Sequence, residues 1–593
     1  MGLTWDEAVA VVQQRRLQQE PLLSKMVDVQ RRYNGEYVLP APSTGPDEPR
    51  PVVIAQLVAE AIDFPALQAS SVMPMFDFPA TDPQVTLRVE NARVRKRAAA
   101  ATLFRSDFHL GVRKAFRHIA GYTSASMVLI PDDGKRPGNR KARQPGPRLY
   151  LRDPLTTYAD PRSNVDFTPP VNVGYVHQVS AAVLMGAYRN EMTQYFGDIF
   201  KNGSAGGPLN ELWDIMEWID EDMIRMGVIG PSNLEFTEAF NIPAYGVELR
   251  HWENKAGMCP AVCPRVITLD KIISRAMQMT GQVDTLAYLY DLDIQATKRA
   301  IFPDRYIISE PNLTPGLVDG KWHTGDTGMT NLVTNARQVG ELRSGVDPGV
   351  FQRMTALTDM ARQSAGITGL SGGDVSGYGG GLRTGRGMGQ LMDIAVNPRV
   401  QELQEVMAHS LTNLVEPMFE MYEGYWPSKK FVLFSGWPTD KGQVEFTPNK
   451  ELAESNECVC TYPIPGADLN GTIVALGQMM QAKMASAKTV RMQNPLISDP
   501  EFEERQITEE AFTDMALEAM HTQTAAGTLS MIDLAVIASQ VEHGEKIWKA
   551  IQVAQEAAQA RQATQAPPGA PETQPGLAQP GQGVEQPPAG GGA

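Results

Sequence analysis

Residues 371–390 read SGGDVSGYGGGLRTGRGMGQ. Helix-patterned sequence lies on both sides, so the run has two readings with different folds. As a phosphate cradle it would sit between a buried strand and a helix, in an α/β nucleotide-binding domain. As a connector it would join two helices. Gly380 and Gly385 have the phosphate-loop spacing, but Arg386-Gly387 stands where Lys-Ser/Thr is required. What precedes the run has helical, not strand, periodicity: Val350, Met354, Leu357, Ala361 and Ala365 fall three or four apart. The connector reading is therefore preferred. Seven glycines between Gly372 and Gly385 make the run conformationally permissive.

That preceding helix starts at Asp347-Pro348, a cap followed by proline at the first helical position. After the run, helix is expected from Met388 to Tyr422, with kinks or breaks at Asn397-Pro398 and Pro417. Upstream, Leu269, Ile272, Ile273, Ala276, Met279, Val283, Leu286, Tyr290 and Ile294 mark a long amphipathic helix over 266–302, stopped at Phe302-Pro303. Between the two helices, 303–346 is short, polar and turn-rich, with strand-like pieces such as RYIIS.

Further out, helix is expected over 4–33, ending at Asn34-Gly35, and again over 51–62 with Pro51 in its first turn. QVTLRVE (84–90) alternates as a strand does, and one long helix is expected from Asn91 to Ile119. SMVLIP (126–131) and RLYLRD (148–153) read as strands around a basic loop. Helices are expected near 180–190 and over 209–226, LNELWDIMEWIDEDMIRM, and strands with loops over 430–465. Three helices follow: Thr472–Val490, Pro500–His521 behind a Ser498-Asp-Pro-Glu501 capping box, and Ser530–Ala560. Residues 561–593 are Pro/Gly-rich, with only Leu577 and Val584 as large aliphatics, too few to offset the entropy of ordering. Truncation after Ala560 is thus expected to leave the melting temperature unchanged in calorimetry; a clear drop would show that the tail packs.

At 593 residues several cores are expected. A net charge of −15 argues against nucleic-acid binding through bulk charge. No apolar run is long enough to span a membrane, and the N-terminus has neither a signal-peptide pattern nor, with Asp6 and Glu7, a good myristoylation site. Four cysteines suggest a reducing compartment. Cys259, Cys263, Cys458, Cys460 and His251 lack zinc-finger spacing, and MCPAVCPRV reads instead as a buried strand, so no metal is expected. Neither an H-E-x-x-H nor a G-x-S-x-G motif occurs. Two basic clusters remain, Arg93, Arg95, Lys96 and Arg97 on a helix, and Arg140, Lys141 and Arg143 in the 135–148 loop. They are candidate contacts for DNA or an acidic protein face, or else solvated surface.

The order of parts, together with VDVQRRYNGEY (Val27–Tyr37), Tyr158-Ala-Asp-Pro-Arg162, GMCPAVCPR (Gly257–Arg265), QSAGITGL (Gln363–Leu370) and Gly527-Thr-Leu-Ser530 with Glu542 and Glu545, resembles the portal (head-to-tail connector) proteins of long-tailed bacteriophages. The resemblance covers roughly residues 15 to 560. It implies an α+β portal fold. Its wing would comprise 1–59, 60–265 and 387–465, its stem helices 266–302 and 347–367, its clip 303–346, its tunnel loop 368–386, and its helical crown 466–560, before a disordered tail at 561–593. It further implies a ring, expected as a dodecamer, at one capsid vertex of the virion, assembled in the host cytoplasm. Double-stranded DNA would pass through the channel. Terminase large subunit, the head-tail adaptor, major capsid protein and scaffolding protein would be partners. No catalysis, cofactor or membrane is implied. Asp374, Tyr378, Arg383 and Arg386 would face DNA, and Lys321, Trp322 and His323 would contact clip partners. Where relatives begin the helix after the tunnel loop with a Ser-Ala-x-Ala pattern, this chain has Thr384-Gly-Arg-Gly-Met388. The alternatives are a helical scaffold or adaptor assembling through 209–226, and a nucleotide-dependent enzyme built around 371–390.

Overall fold

The protein is described from a computed structural model. It describes residues 3–36, 56–134 except 83, 143–161, 168–202, 211–231, 246–267, 273–301, 304–309, 316–317, 333–342 except 335, 349–364, 398–434, 443–462, 469–494, 497, 500–525 and scattered positions in 535–556. The fold mixes helices with antiparallel sheets. Two compact units are formed, Met1–Ser498 and Asp499–Ala593.

Helix α1 (Trp5–Tyr33) begins where the Thr4 amide and hydroxyl both donate to the Glu7 carboxylate at 2.8 Å. Asp6 and Glu7 in the first turn and Arg31 and Arg32 in the last complement the helix dipole. Gly35, at φ 87°, ends it as expected. The two halves of α1 serve different cores. Trp5, Ala8, Val9 and Val12 cover one face of a sheet, whereas Met26 and Val29 pack among the helices of the middle of the chain.

That sheet is a five-stranded antiparallel meander of β4 (Thr157–Ala159), β5 (Val173–Ser180), β6 (Leu212–Ile219), β7 (Met223–Pro231) and β8 (Val247–Glu253). Met216 and Trp218 meet α1. On the opposite face Trp213, Ile215 and Val228 meet Leu184 of α5 (Ala181–Ala187) and Met192 and Phe196 of α6 (Arg189–Asn202). Helix α1 lies so close that a Cβ on Gly227 would come within 2.4 Å of the Trp5 ring. The helix expected over 209–226 is therefore a β-hairpin. Asp220 makes its turn, accepting the amides of Asp222 (3.0 Å) and Met223 (2.6 Å).

The strands expected at 126–131 and 148–153 form β2 (Ser126–Asp132) and β3 (Gly146–Arg152), with β9 (Ala261–Val262) on the other side of β2. MCPAVCPRV thus carries the short buried strand expected of it. The alternating 84–90 stretch is not a strand: α3 (Thr86–Arg105) starts inside it, and the run of alanines that follows favours helix. Nor is 91–119 one helix. Asp107, at φ 55°, separates α3 from α4 (Phe108–Tyr122).

The largest core surrounds a helix at Pro398–Tyr425. Around it pack α3, α4, the strand pairs β1 (Met75–Asp77)–β16 (Val459–Thr461) and β14 (Phe431–Phe434)–β15 (Gln443–Phe446), and a π-turn at Pro448–Leu452. Tyr422 meets Phe431 and Phe446 edge-on at 5.0 and 5.4 Å, and its hydroxyl lies 3.0 Å from that of Thr102. This helix is described from Pro398 and runs unbroken through Pro417. It ends three residues beyond Tyr422, and its expected portion before Pro398 lies outside the described residues.

Helix α2 (Leu57–Ala69) starts later than the pattern over 51–62 predicts and extends further, through Pro65; Pro51 lies outside the described residues. The expected Thr472–Val490 helix is two helices, Leu469–Gln481 and Ala487–Gln493, separated at Lys483 (φ 56°). In the second unit a helix at Pro500–Ala525 matches the expected one. The described positions between 535 and 556 are helical, and Ile537, Ala550 and Ala554 cluster there. The capping-box residues Ser498 and Asp499 and the tail 561–593 lie outside the described residues.

Candidate functional site

The two helices expected to flank 303–346 are both present, but the first begins at Arg275 behind its Ser274 cap, nine residues later than expected. Helix α7 spans Arg275–Ile301 and α8 spans Gly349–Ser364, and they pack against each other. Between them β10 (Asp304–Ser309) pairs with β13 (Ala336–Leu342), from Asp304 opposite Leu342 to Ser309 opposite Ala336. β11 (Gly316–Leu317) pairs with β12 (Val333–Thr334). The excursion therefore leaves α7 and returns to α8 through one antiparallel pair, in a single helix–strand module–helix hairpin.

Ser274 caps α7, accepting the Met277 amide at 3.0 Å while its hydroxyl donates to the Gly121 carbonyl at 2.7 Å. The Arg32 guanidinium grips Asp284 through two bonds of 2.9 and 2.7 Å, fixing α1 to α7. Gln282 reaches Ser364 of α8 at 3.4 Å. The stripe of Ala276, Met279, Val283 and Leu286 is buried within this chain, against α2, α1 and Met354 and Ala361 of α8. The opposite face of α7 is open: Gly281, Thr285, Tyr288 and Leu292, three or four apart, are exposed. On α8, Phe351 (56% exposed) and Met360 (54%) are also open, although both are large apolar side chains.

No protein-family model matches the sequence, and no curated protein matches it either.

Of the residues singled out from sequence, Asp374, Tyr378, Arg383, Arg386, Lys321, Trp322, His323, Arg140 and Lys141 lie outside the described residues. Arg143 is exposed, and its amide donates to the Gly134 carbonyl at 3.0 Å. Arg93, Lys96 and Arg97 are half-buried along α3, with Arg93 paired to Glu90 at 3.2 Å. Arg95 is not at the surface. It is wholly buried, donating to the carbonyls of Ser455 (2.6 Å) and Pro79 (3.1 Å), over the Phe78 ring and 3.9 Å from Glu454. Glu454, which the sequence did not single out, also binds Arg88 and Asn91. Burial pushes its carboxyl up, but those hydrogen bonds and the two arginine charges outweigh burial and hold it below the usual carboxylate range. The four residues therefore do not form one basic contact face.

Among the described residues, no three His, Cys, Asp or Glu side chains are grouped to hold a metal. Burial pushes the Cys263 thiol up to about 11 and Cys458 to about 12, and raises Cys259 and Cys460 as well. These are protonated packing residues. No helix among the described residues is long and apolar enough to cross a membrane.

Proposed function

We propose that this chain is the protomer of a ring and acts as a portal: a channel for double-stranded DNA at one vertex of a phage capsid. The observation that carries the reading is the paired α7–α8 hairpin, closed by a small strand module and bearing large apolar side chains that its own chain leaves open. A lone chain gains nothing by exposing Tyr288, Leu292, Phe351 and Met360, whereas a neighbouring copy of the same hairpin would bury them. In this reading the 303–346 module, with Lys321, Trp322 and His323, receives terminase large subunit and then the head-tail adaptor. The Gly-rich 368–386 run, with Asp374, Tyr378, Arg383 and Arg386, borders the DNA. Capsid and scaffolding proteins meet the outside, and the virion is the final location. The acidic balance suits a channel that must let phosphates slide. The chain itself performs no catalysis. The alternative of an adaptor assembling through a helix at 209–226 loses its premise, because those residues enter β6 and β7.

Negative-stain images of the purified protein are expected to show particles with a central hole. Tyr288→Asp combined with Leu292→Asp is expected to leave the chain folded and to yield smaller species by light scattering. Leu286→Asp would not report on assembly, since Leu286 is 1% exposed within its own chain and its replacement unfolds the hairpin. A compact monomer from the unmodified chain, or intact rings from the double variant, would overturn the assignment of this face.

A further inference from the structure

Helix α4 turns one face inward and leaves the other to solvent. Phe108, Val112, Ala115, Phe116 and Ile119 are buried in the largest core. His109, Leu110, Arg113 and Lys114, which recur at helical spacing, are exposed. Phe104, at the end of α3, continues this open face: it is 42% exposed, and its ring stacks on that of His109 at 6.4 Å. Leu110 is 61% exposed. A Cβ on Gly111 would meet nothing within 4 Å, so another backbone can come close there.

The charge of this face departs from that of the whole. The chain carries a net −15, yet α4 has Arg113, Lys114 and Arg117 and neither Asp nor Glu. Asp107 and Asp63, which border it, are already matched, by Arg148 at 3.5 Å and by Arg117 at 2.7 Å. Asp153, near His118, accepts the Leu155 amide at 3.0 Å. Among the described residues Arg113 and Lys114 have no acidic partner. Unmatched cations in a chain with acid to spare are complementary to an anionic partner. Two large apolar side chains among them do nothing for a phosphate backbone, but they suit a protein segment that is itself amphipathic.

We propose that this face of α4 docks an acidic amphipathic helix of a partner protein. The partner's apolar ridge lies over Phe104 and Leu110 and crosses at Gly111, and its carboxylates meet Arg113 and Lys114. Fluorescence anisotropy on the full chain would use two labelled probes. One is a roughly 20-residue helical peptide of leucine, alanine and glutamate with leucines three and four apart, and the other is a short DNA duplex. The peptide is expected to bind saturably, about tenfold more tightly than a version with glutamine for glutamate, and less tightly as salt rises. Arg113→Glu combined with Lys114→Glu should weaken it about tenfold as well. Leu110→Ser should weaken it several-fold, and Gly111→Trp, which fills the open space, should abolish binding. Circular dichroism and particle size should stay unchanged in these variants. No saturable peptide binding, equal binding of the two peptides, or unchanged binding in Gly111→Trp would overturn the proposal. So would DNA that binds more tightly than the peptide and is indifferent to Leu110→Ser, or smaller particles from the variants, which would assign this face to a second copy of the chain.

Discussion

Replacing Glu454 by alanine is expected to lower the unfolding free energy by about 3 kcal/mol, the cost of leaving a buried charge without its partner. Arg95 is wholly enclosed, and Glu454 is the carboxylate nearest it. Two carbonyls would still accept from the guanidinium, but neither carries a full charge. Arg88 and Asn91 would lose their shared acceptor as well, so the start of α3 should loosen. The measurement is urea denaturation of the single variants and of Arg95→Met with Glu454→Leu. The double variant is expected to recover most of the loss, because an apolar pair of similar volume often serves as well as a buried ion pair. Full stability in Glu454→Ala would show that the carbonyls suffice.

The second large effect is a dependence on pH. His118 of α4 is 8% exposed, its ring lies 5.6 Å from Tyr122, and its Nδ1 has no hydrogen-bond partner. Burial pushes its pKa down to about 4, with the Asp153 charge opposing that shift and Lys114 adding to it. In the unfolded chain the imidazole takes its proton near pH 6.5. The folded form therefore keeps a neutral ring while the unfolded form gains a proton. The contribution is complete above pH 6.5 and is lost as pH falls from there toward 4. At about 1.36 kcal/mol per pH unit, roughly 2 kcal/mol disappears between pH 6.5 and 5. Denaturation of the wild type and of His118→Phe at the two pH values measures it. A flatter profile in the variant is expected, and identical slopes would assign the acid sensitivity to other groups.

Much of the helical skeleton was readable because one face of each helix is buried and the other wet. The stripe from Ala276 to Leu286 repeats every three or four residues, and Asn34-Gly35 terminates α1 with the turn chemistry such a pair implies. The hairpin β6–β7 was not readable by the same rule. As the central strand, with a cover on each face, β6 is buried nearly continuously, so it shows no alternation. Its apolar residues then fall by chance at helical spacing. The decisive signal was local instead: the acid at Asp220, whose side chain makes the turn. Arg95 was misplaced for a related reason. A charge cluster in sequence says nothing about helix face, yet Ala92, Arg95, Ala99 and Thr102 lie on one buried stripe, and that spacing could have drawn Arg95 inward. The stripe of α7 is covered within the chain by α2 and α1, partners that its periodicity alone does not name.

The double allegiance of α1 bears on how the chain can be made. This helix leaves the ribosome before its partners, which arrive late. Arg15 binds the Tyr158 carbonyl and Asn172, and Arg32 binds Asp284. Hydrogen bonds spanning 143 to 252 residues close long loops, so nucleation by α1 alone is entropically unfavourable. Until the β4–β8 sheet has been synthesised, Trp5, Val9 and Val12 have nothing to cover them. A nascent chain arrested before residue 157 should present α1 as a greasy, protease-sensitive segment, the kind that chaperones hold.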